Sequence, residues 1–236
     1  MSGHSKWSTI KHKKAATDNK RGQIFTKLGR AISIAAKESG PDPESNFKLR
    51  LVMDKARAVN MPKANIERAI ERGAGQGGAN NLETAVYEGF GPAQVAVMVE
   101  VVTDNKNRAV AEIKNVFERG GGSLGQPGSV GYLFNKKGRL LVVKAAEVDS
   151  QILKIIDLGA DDVEESGESI EVLVPAARLG EMHRLLDQTE MTVTLAEQIY
   201  KPIALMELTP EQEQKLTEWL AALEELDDVQ AVYTNW

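Results

Sequence analysis

Residues 139–203 read RLLVVKAAEVDSQILKIIDLGADDVEESGESIEVLVPAARLGEMHRLLDQTEMTVTLAEQIYKPI, and their periodicity decides the fold. Leu140 to Val143 is a short apolar run that predicts a strand, and Asp149 to Leu158 has helical spacing. Asp161 to Glu165 and Ile170 to Val174 predict a hairpin turned near Gly167. Ala176 to Gln188 predicts a second helix and Thr192 to Leu195 a last strand. The order βαββαβ is the ferredoxin-like pattern, so this stretch reads as a complete unit.

The flanks of this stretch supply a second α+β set. Thr84 to Phe90 and Gln94 to Thr103 predict a hairpin around Gly91-Pro92. In its second strand Val95, Val97, Val99 and Val101 line one face, with Ala96, Met98 and Val102 on the other, which suits a central strand covered on both sides. Asn107 to Arg119 predicts a helix buried through Val110, Ile113, Val116 and Phe117, and Val130 to Phe134 a returning strand. That set lacks a helix and a strand, which Thr209-Pro210 to Leu226 and Val229 to Tyr233 provide. Residues 139–203 are therefore expected as an insertion within it.

Toward the N-terminus the period changes to that of helices. From Asp18 onward Ile24, Phe25, Leu28, Ile32 and Ala35 form one stripe. Gly40-Pro41-Asp42-Pro43 breaks it, a second helix runs from about Ser45 or Asn46 to Val59, and Pro62 opens a third that stops at Gly73. Gly73 to Ala79 reads as a linker. Its G-x-G-x-x-G match, like that of Gly120 to Gly125, follows a helix rather than a strand, so neither has the setting of a dinucleotide site. The expected fold class is α+β with three domains. Residues 1–79 form a small basic helical domain with a Gly-rich linker. Residues 80–138 plus 204–236 form one ferredoxin-like α+β domain, and residues 139–203 an acidic ferredoxin-like domain inserted in it.

Charge is distributed as unevenly as the periodicity. The 236 residues carry a net charge of −5, yet residues 1–73 hold 16 lysines and arginines against 7 acids, a balance of +9. The other 163 residues hold 13 against 27, a balance of −14. Before Glu38 the only acid is Asp18. Solvated helix faces usually alternate sign, so a segment without interleaved acids points to an anionic partner for one part of the chain.

The candidate nucleic-acid contacts are His4, Ser5, Lys6, Trp7, Lys11, His12, Lys13, Lys14, Lys20, Arg21, Lys27 and Arg30. Lysines and arginines release condensed counterions when they meet phosphates, and an aromatic side chain among them can stack on an unpaired base.

Other chemistry finds little support. The chain has no cysteine, which removes disulfides, thiolate zinc sites, iron–sulfur clusters and cysteine nucleophiles. Its three histidines do not cluster, and no phosphate-cradling loop occurs in the right context. Asp161, Asp162, Glu164 and Glu165 could hold a cation, but solvated turns account for them more simply. Nothing assembles a nucleophile, a base and an oxyanion site. The expectation is a protein that is not an enzyme, with no catalytic residue, metal or cofactor. No apolar run is long enough to span a bilayer, and a cytoplasmic location with no membrane partner is expected.

Several phrases carry a family resemblance: GHSKW with IKHKKAATDNKRGQIFTKL, NMPKANIERAIERG, YEGFGP, VTDNKNRAVAEI, GSVGYLF and the ending DDVQAVYTNW. Together they resemble the YebC/PmpR family, which includes the mitochondrial translational activator of cytochrome oxidase. The resemblance covers nearly the whole chain. It implies a helical N-terminal domain and two α+β domains, one inserted in the other. It also implies a DNA-binding transcriptional regulator, or a translation factor that acts on the ribosome, including during synthesis of proline runs. The GHSKW and KHKK segments are where it implies nucleic-acid contact. DNA and ribosomal RNA both stay open as the partner, as does a ribosomal or other protein partner for the acidic C-terminal domains. An interaction scaffold is the third reading.

Overall fold

The computed structural model describes residues 18–75 and 81–236. Helix α1 (Asp18–Ser39) is followed by α2 (Phe47–Ala58) and α3 (Lys63–Gly73). None of the three would persist alone in water, so their apolar stripes interlock. Ile32, Ala35 and Ala36 of α1 are buried against Leu49, Met53 and Ala56 of α2 and Ile66 and Ala69 of α3.

Two polar details fix this packing. Asn46 is buried, accepts from the Leu49 N–H at 2.9 Å to cap α2, and donates to the Ala35 and Gly40 carbonyls that end α1. Gly73 closes α3 against α1, where a Cβ would lie 2.3 Å from the Ser33 carbonyl oxygen. Only hydrogen fits there.

The first sheet comprises β1 (Glu83–Phe90), β2 (Ala96–Thr103), β3 (Ser123–Leu124) and β8 (Val229–Thr234), in the order β3-β1-β2-β8. All three pairings are antiparallel. Between them lie α4 (Lys106–Arg119) and, far along the chain, α7 (Pro210–Glu224). The alternation in β2 is explained by its central place. Val95, Val97, Val99 and Val101 face α4 and α7, meeting Ile113, Phe117, Leu216, Trp219 and Leu220. Val102, on the opposite face, packs with Ile34 of α1 and with Leu82. The helical domain thus covers part of the sheet's second face.

The second sheet comprises β4 (Phe134–Val143), β5 (Asp162–Ser166), β6 (Ser169–Pro175) and β7 (Val193–Pro202), with α5 (Val148–Asp157) and α6 (Leu179–Gln188). Its order, β5-β6-β4-β7, is the arrangement the βαββαβ sequence requires. Leu140, Val142, Ile170, Val172 and Val174 are buried with Ile155, Met182 and Leu186. On the alternate positions Arg139 lies 3.2 Å from both Glu171 and Glu197.

The chain divides into two compact units. One is residues 135–201; the other holds the helical domain and the first sheet. The chain crosses between them twice, and at the crossing the Ile203 N–H donates to the Leu133 carbonyl at 2.9 Å.

One predicted strand is corrected. Val130 to Phe134 is not a strand of the first sheet: Gly131–Leu133 forms a 3-10 turn, and Phe134 begins β4 of the second. The place beside β1 is taken by the two residues of β3. The reason is Glu88 on β1, whose carboxylate accepts the N–H groups of Gly128, Val130 and Gly131 and so holds that segment as a loop. The linker expected at 73–79 falls partly outside the described residues.

Candidate nucleic-acid interface

Of the predicted contacts, His4, Ser5, Lys6, Trp7, Lys11, His12, Lys13 and Lys14 lie outside the described residues. Lys20 falls in the first turn of α1, and Arg21 follows it with its side chain exposed. Further along α1, Lys27 and Arg30 are held by the chain itself. Lys27 Nζ donates to the Glu224 carbonyl. Arg30 Nη1 donates to the Asp227 carbonyl and to Asp228 Oδ1, each at 2.5 Å.

Asp228 gathers more than this one arginine. It also accepts from Arg108 Nη2 at 3.0 Å and from Thr103 Oγ1 at 2.7 Å, and its side chain is only 4% exposed. A buried carboxylate without such donors would be strongly unfavourable. The cluster fastens α1 to the turn between α7 and β8 and to the end of β2. Lys27 and Arg30 therefore work in the protein's own packing, which sequence patterning could not reveal because their partners lie 197 and 198 residues away.

Beside that anchor opens a cleft of about 670 Å³. Its apolar lining comes from Phe25, Met61 and Leu82, with Phe25 half-buried and the other two buried. Asn65, Arg68 and Arg72 of α3 line it as well, and Arg30, Asn81 and Asp104 complete the polar edge. Gly29 lies in the wall, and a Cβ there would meet nothing nearer than Met61 Cε at 3.9 Å. The cleft thus combines guanidinium groups, amides and one carboxylate around an aromatic and apolar base.

Arg68, Arg72 and Asn65 are absent from the residues expected from sequence. The signal was their spacing: positions 65, 68 and 72 share one face of an 11-residue helix, next to the stripe that supplies Ile66 and Ala69 to the core. Periodicity marks that face as polar, but only the tertiary fold brings Phe25 alongside it.

The acidic hairpin at 161–165 is bound up in cross-strand ion pairs. Lys137 meets Asp161 at 2.7 Å, Lys201 meets Asp162 at 2.9 Å and Lys144 meets Glu165 at 2.7 Å. Among the described residues no group of acids and histidines has the geometry of a metal site. Nor, among them, is any helix long and apolar enough to cross a membrane.

Fold and charge define a class: a cation-rich helical domain packed on the first of two antiparallel α+β sheets. The family follows from comparison with known proteins. Residues 5–76 match the TACO1/YebC protein N-terminal domain, and residues 82–236 match the TACO1/YebC second and third domain. The chain belongs to the TACO1/YebC family. A "probable transcriptional regulatory protein" of Pelotomaculum thermopropionicum is 43% identical over 239 residues, covering 100% of this chain and 98% of the relative. One of Listeria monocytogenes is 44% identical over 238 residues, again with 100% and 98% coverage. The crystal structure of a conserved hypothetical protein from Aquifex aeolicus is similar with a TM-score of 0.87 and 41% identity, covering 98% of this chain and 96% of that one.

Proposed function

We propose that this protein is a nucleic-acid-binding regulator of gene expression that engages its target through the basic N-terminal segment. The observation that carries the reading is the charge asymmetry, +9 over residues 1–73 against −14 over the rest. The names of the relatives support transcription as the process, and on that reading the partner is DNA. A second reading, a ribosome-associated translation factor on RNA, is favoured by the cleft, because a concave site with Phe25, Arg68 and Arg72 in its lining suits unpaired bases better than a regular duplex. Either way the chain acts by binding, and no residue is assigned to catalysis.

Lys27 and Arg30 are engaged internally, and the phosphate contacts proposed are drawn from Lys6, Lys11, Lys13, Lys14, Lys20 and Arg21 of the basic segment. Each neutralised phosphate contributes about −0.7 to −0.9 to the slope of log K against log salt, so five contacts give roughly −4. Replacing Lys11, Lys13 and Lys14 with alanine should weaken binding to every sequence alike and flatten the slope by about 2 to 3. Trp7→Ala should lower affinity with the slope nearly unchanged, since stacking depends little on salt. The measurement is a salt titration of the three proteins on one RNA and one duplex DNA. A triple variant that binds both as well as wild type at every salt concentration would defeat the proposal.

A further inference from the structure

We propose that the cleft between α1, α3 and the end of β2 is a pocket for one unpaired nucleotide of the bound strand. This rests on the nucleic-acid reading above and assigns it a second, shape-selective element, separate from the basic segment.

The cleft stands open to solvent, and its volume of about 670 Å³ lies within the roughly 300–1,000 Å³ of small-molecule sites. A paired duplex presents only its outer edge to such a cleft, whereas an extruded nucleotide can enter it. The lining matches the parts of a nucleotide in turn. Half-buried Phe25 offers an aromatic surface for a base, with Met61 packed behind it, since every base has a π-face and stacking tolerates sequence. Arg68, whose Nη1 also donates to Asn65 Oδ1 at 3.5 Å, and Arg72 one helical turn on bring two guanidinium charges to the same edge, where flanking phosphates would lie.

Asn65 and Asn81 both donate and accept, as the polar edge of a base requires. Asp104 accepts from Arg108 Nη2 at 2.8 Å through one oxygen, and a carboxylate at this edge disfavours a second phosphate while accepting from an exocyclic amine or a sugar hydroxyl. An acidic peptide would set its carboxylates against Asp104 and leave the aromatic lining without a matching group.

Gly29 supplies the means of testing this without altering any charge. A leucine at that position would extend from the wall into the cleft beside Met61 and take up part of the space open to a base, and leucine favours a helix over glycine. Gly22, on the same helix, has nothing within 4 Å of a Cβ and serves as the control.

The experiment measures the affinity of wild type, Gly29→Leu, Gly22→Leu and the Arg68→Ala/Arg72→Ala pair for two hairpins that differ by a single bulged nucleotide. Each hairpin is made as RNA and as DNA, with each of the four bases at the bulge. Wild type should prefer the bulged form by about tenfold in at least one sugar type, the gain expected of one stacked base. The sugar that shows the preference identifies which strand supplies the nucleotide. Gly29→Leu should lose the preference while keeping the affinity for the paired hairpin, and Gly22→Leu should match wild type. The double arginine variant should bind the bulged hairpin more weakly and with a salt slope flatter by about 1 to 2. Equal affinity of wild type for bulged and paired forms in both sugars, or a preference that survives Gly29→Leu, overturns the pocket and leaves binding by the basic segment standing. Failure of wild type to bind any hairpin removes the nucleic-acid reading, and the pocket with it.

Discussion

Glu88 directs its carboxylate at backbone rather than at another side chain. Burial opposes its charge, but the N–H groups of Gly128, Val130 and Gly131 outweigh that and hold its carboxyl below the ordinary value of 4.5. A depressed carboxylate contributes stability that is fully present above its unfolded pKa and is lost as pH falls through the folded one. Glu88→Gln keeps the shape and one acceptor but loses the charge, at a cost of about 1–2 kcal/mol near neutral pH. The gap between variant and wild type should narrow as pH is lowered past 4.5 toward the folded value. Denaturant titrations of both proteins at neutral pH and near pH 3.5 measure it, and a gap of constant size would show that the charge plays no part.

Among the elements, α1 has the most divided role. Its first turns continue the basic segment, its middle forms one wall of the cleft, and Ile34 near its end packs on the sheet. Asp228 is its buried charged anchor, beside the bonds of Lys27 to the Glu224 carbonyl and Lys37 to the Leu82 carbonyl. Asp228→Ala would leave Arg30 and Arg108 without their shared carboxylate, and removal of one partner from a buried pair costs about 3–5 kcal/mol. Because Arg30 and Arg108 keep partial access to water, the lower end of that range is expected. Hydrogen exchange should report the loss in the α1 amides while β2 stays protected; equal protection of α1 in both proteins would refute the anchor.

Elements with their own periodicity could be read in advance. The alternation in 95–102, the stripes of the first three helices and the βαββαβ order each declare which face is buried. Val130 to Phe134 could not, because an apolar run does not state which strand will claim it, and the decision belonged to Glu88 some 40 residues earlier. The same limit applied to the candidate site. Lys27 and Arg30 read as part of a basic face until distant acceptors are known, and Arg68 and Arg72 read as solvated until Phe25 and Leu82 stand beside them.

For the molecule as a whole, the crossing at Leu133 and Ile203 makes residues 135–201 a closed insertion, since the second sheet takes all its strands from one continuous stretch. Expressed alone, 135–201 should unfold in one cooperative transition, with amide dispersion matching the same residues in the full chain. A collapsed species without dispersed resonances would mean that the insertion borrows stability from its host.

The host sheet has the opposite property. β2 lies between β1 and β8, and Thr103 reaches its partner Asp228 across 125 residues of chain. During synthesis at about 5–20 residues per second, that distance corresponds to roughly 6–25 s. For that interval the valine-rich edge of β2 waits beside the ribosome with its hydrogen bonds unmade, while the insertion is produced and can fold first. An open apolar edge of this kind invites pairing with neighbouring chains. Slow translation through residues 135–201 would lengthen the exposure, so the speed of elongation through the inserted unit, more than its own stability, should govern how much newly made protein aggregates.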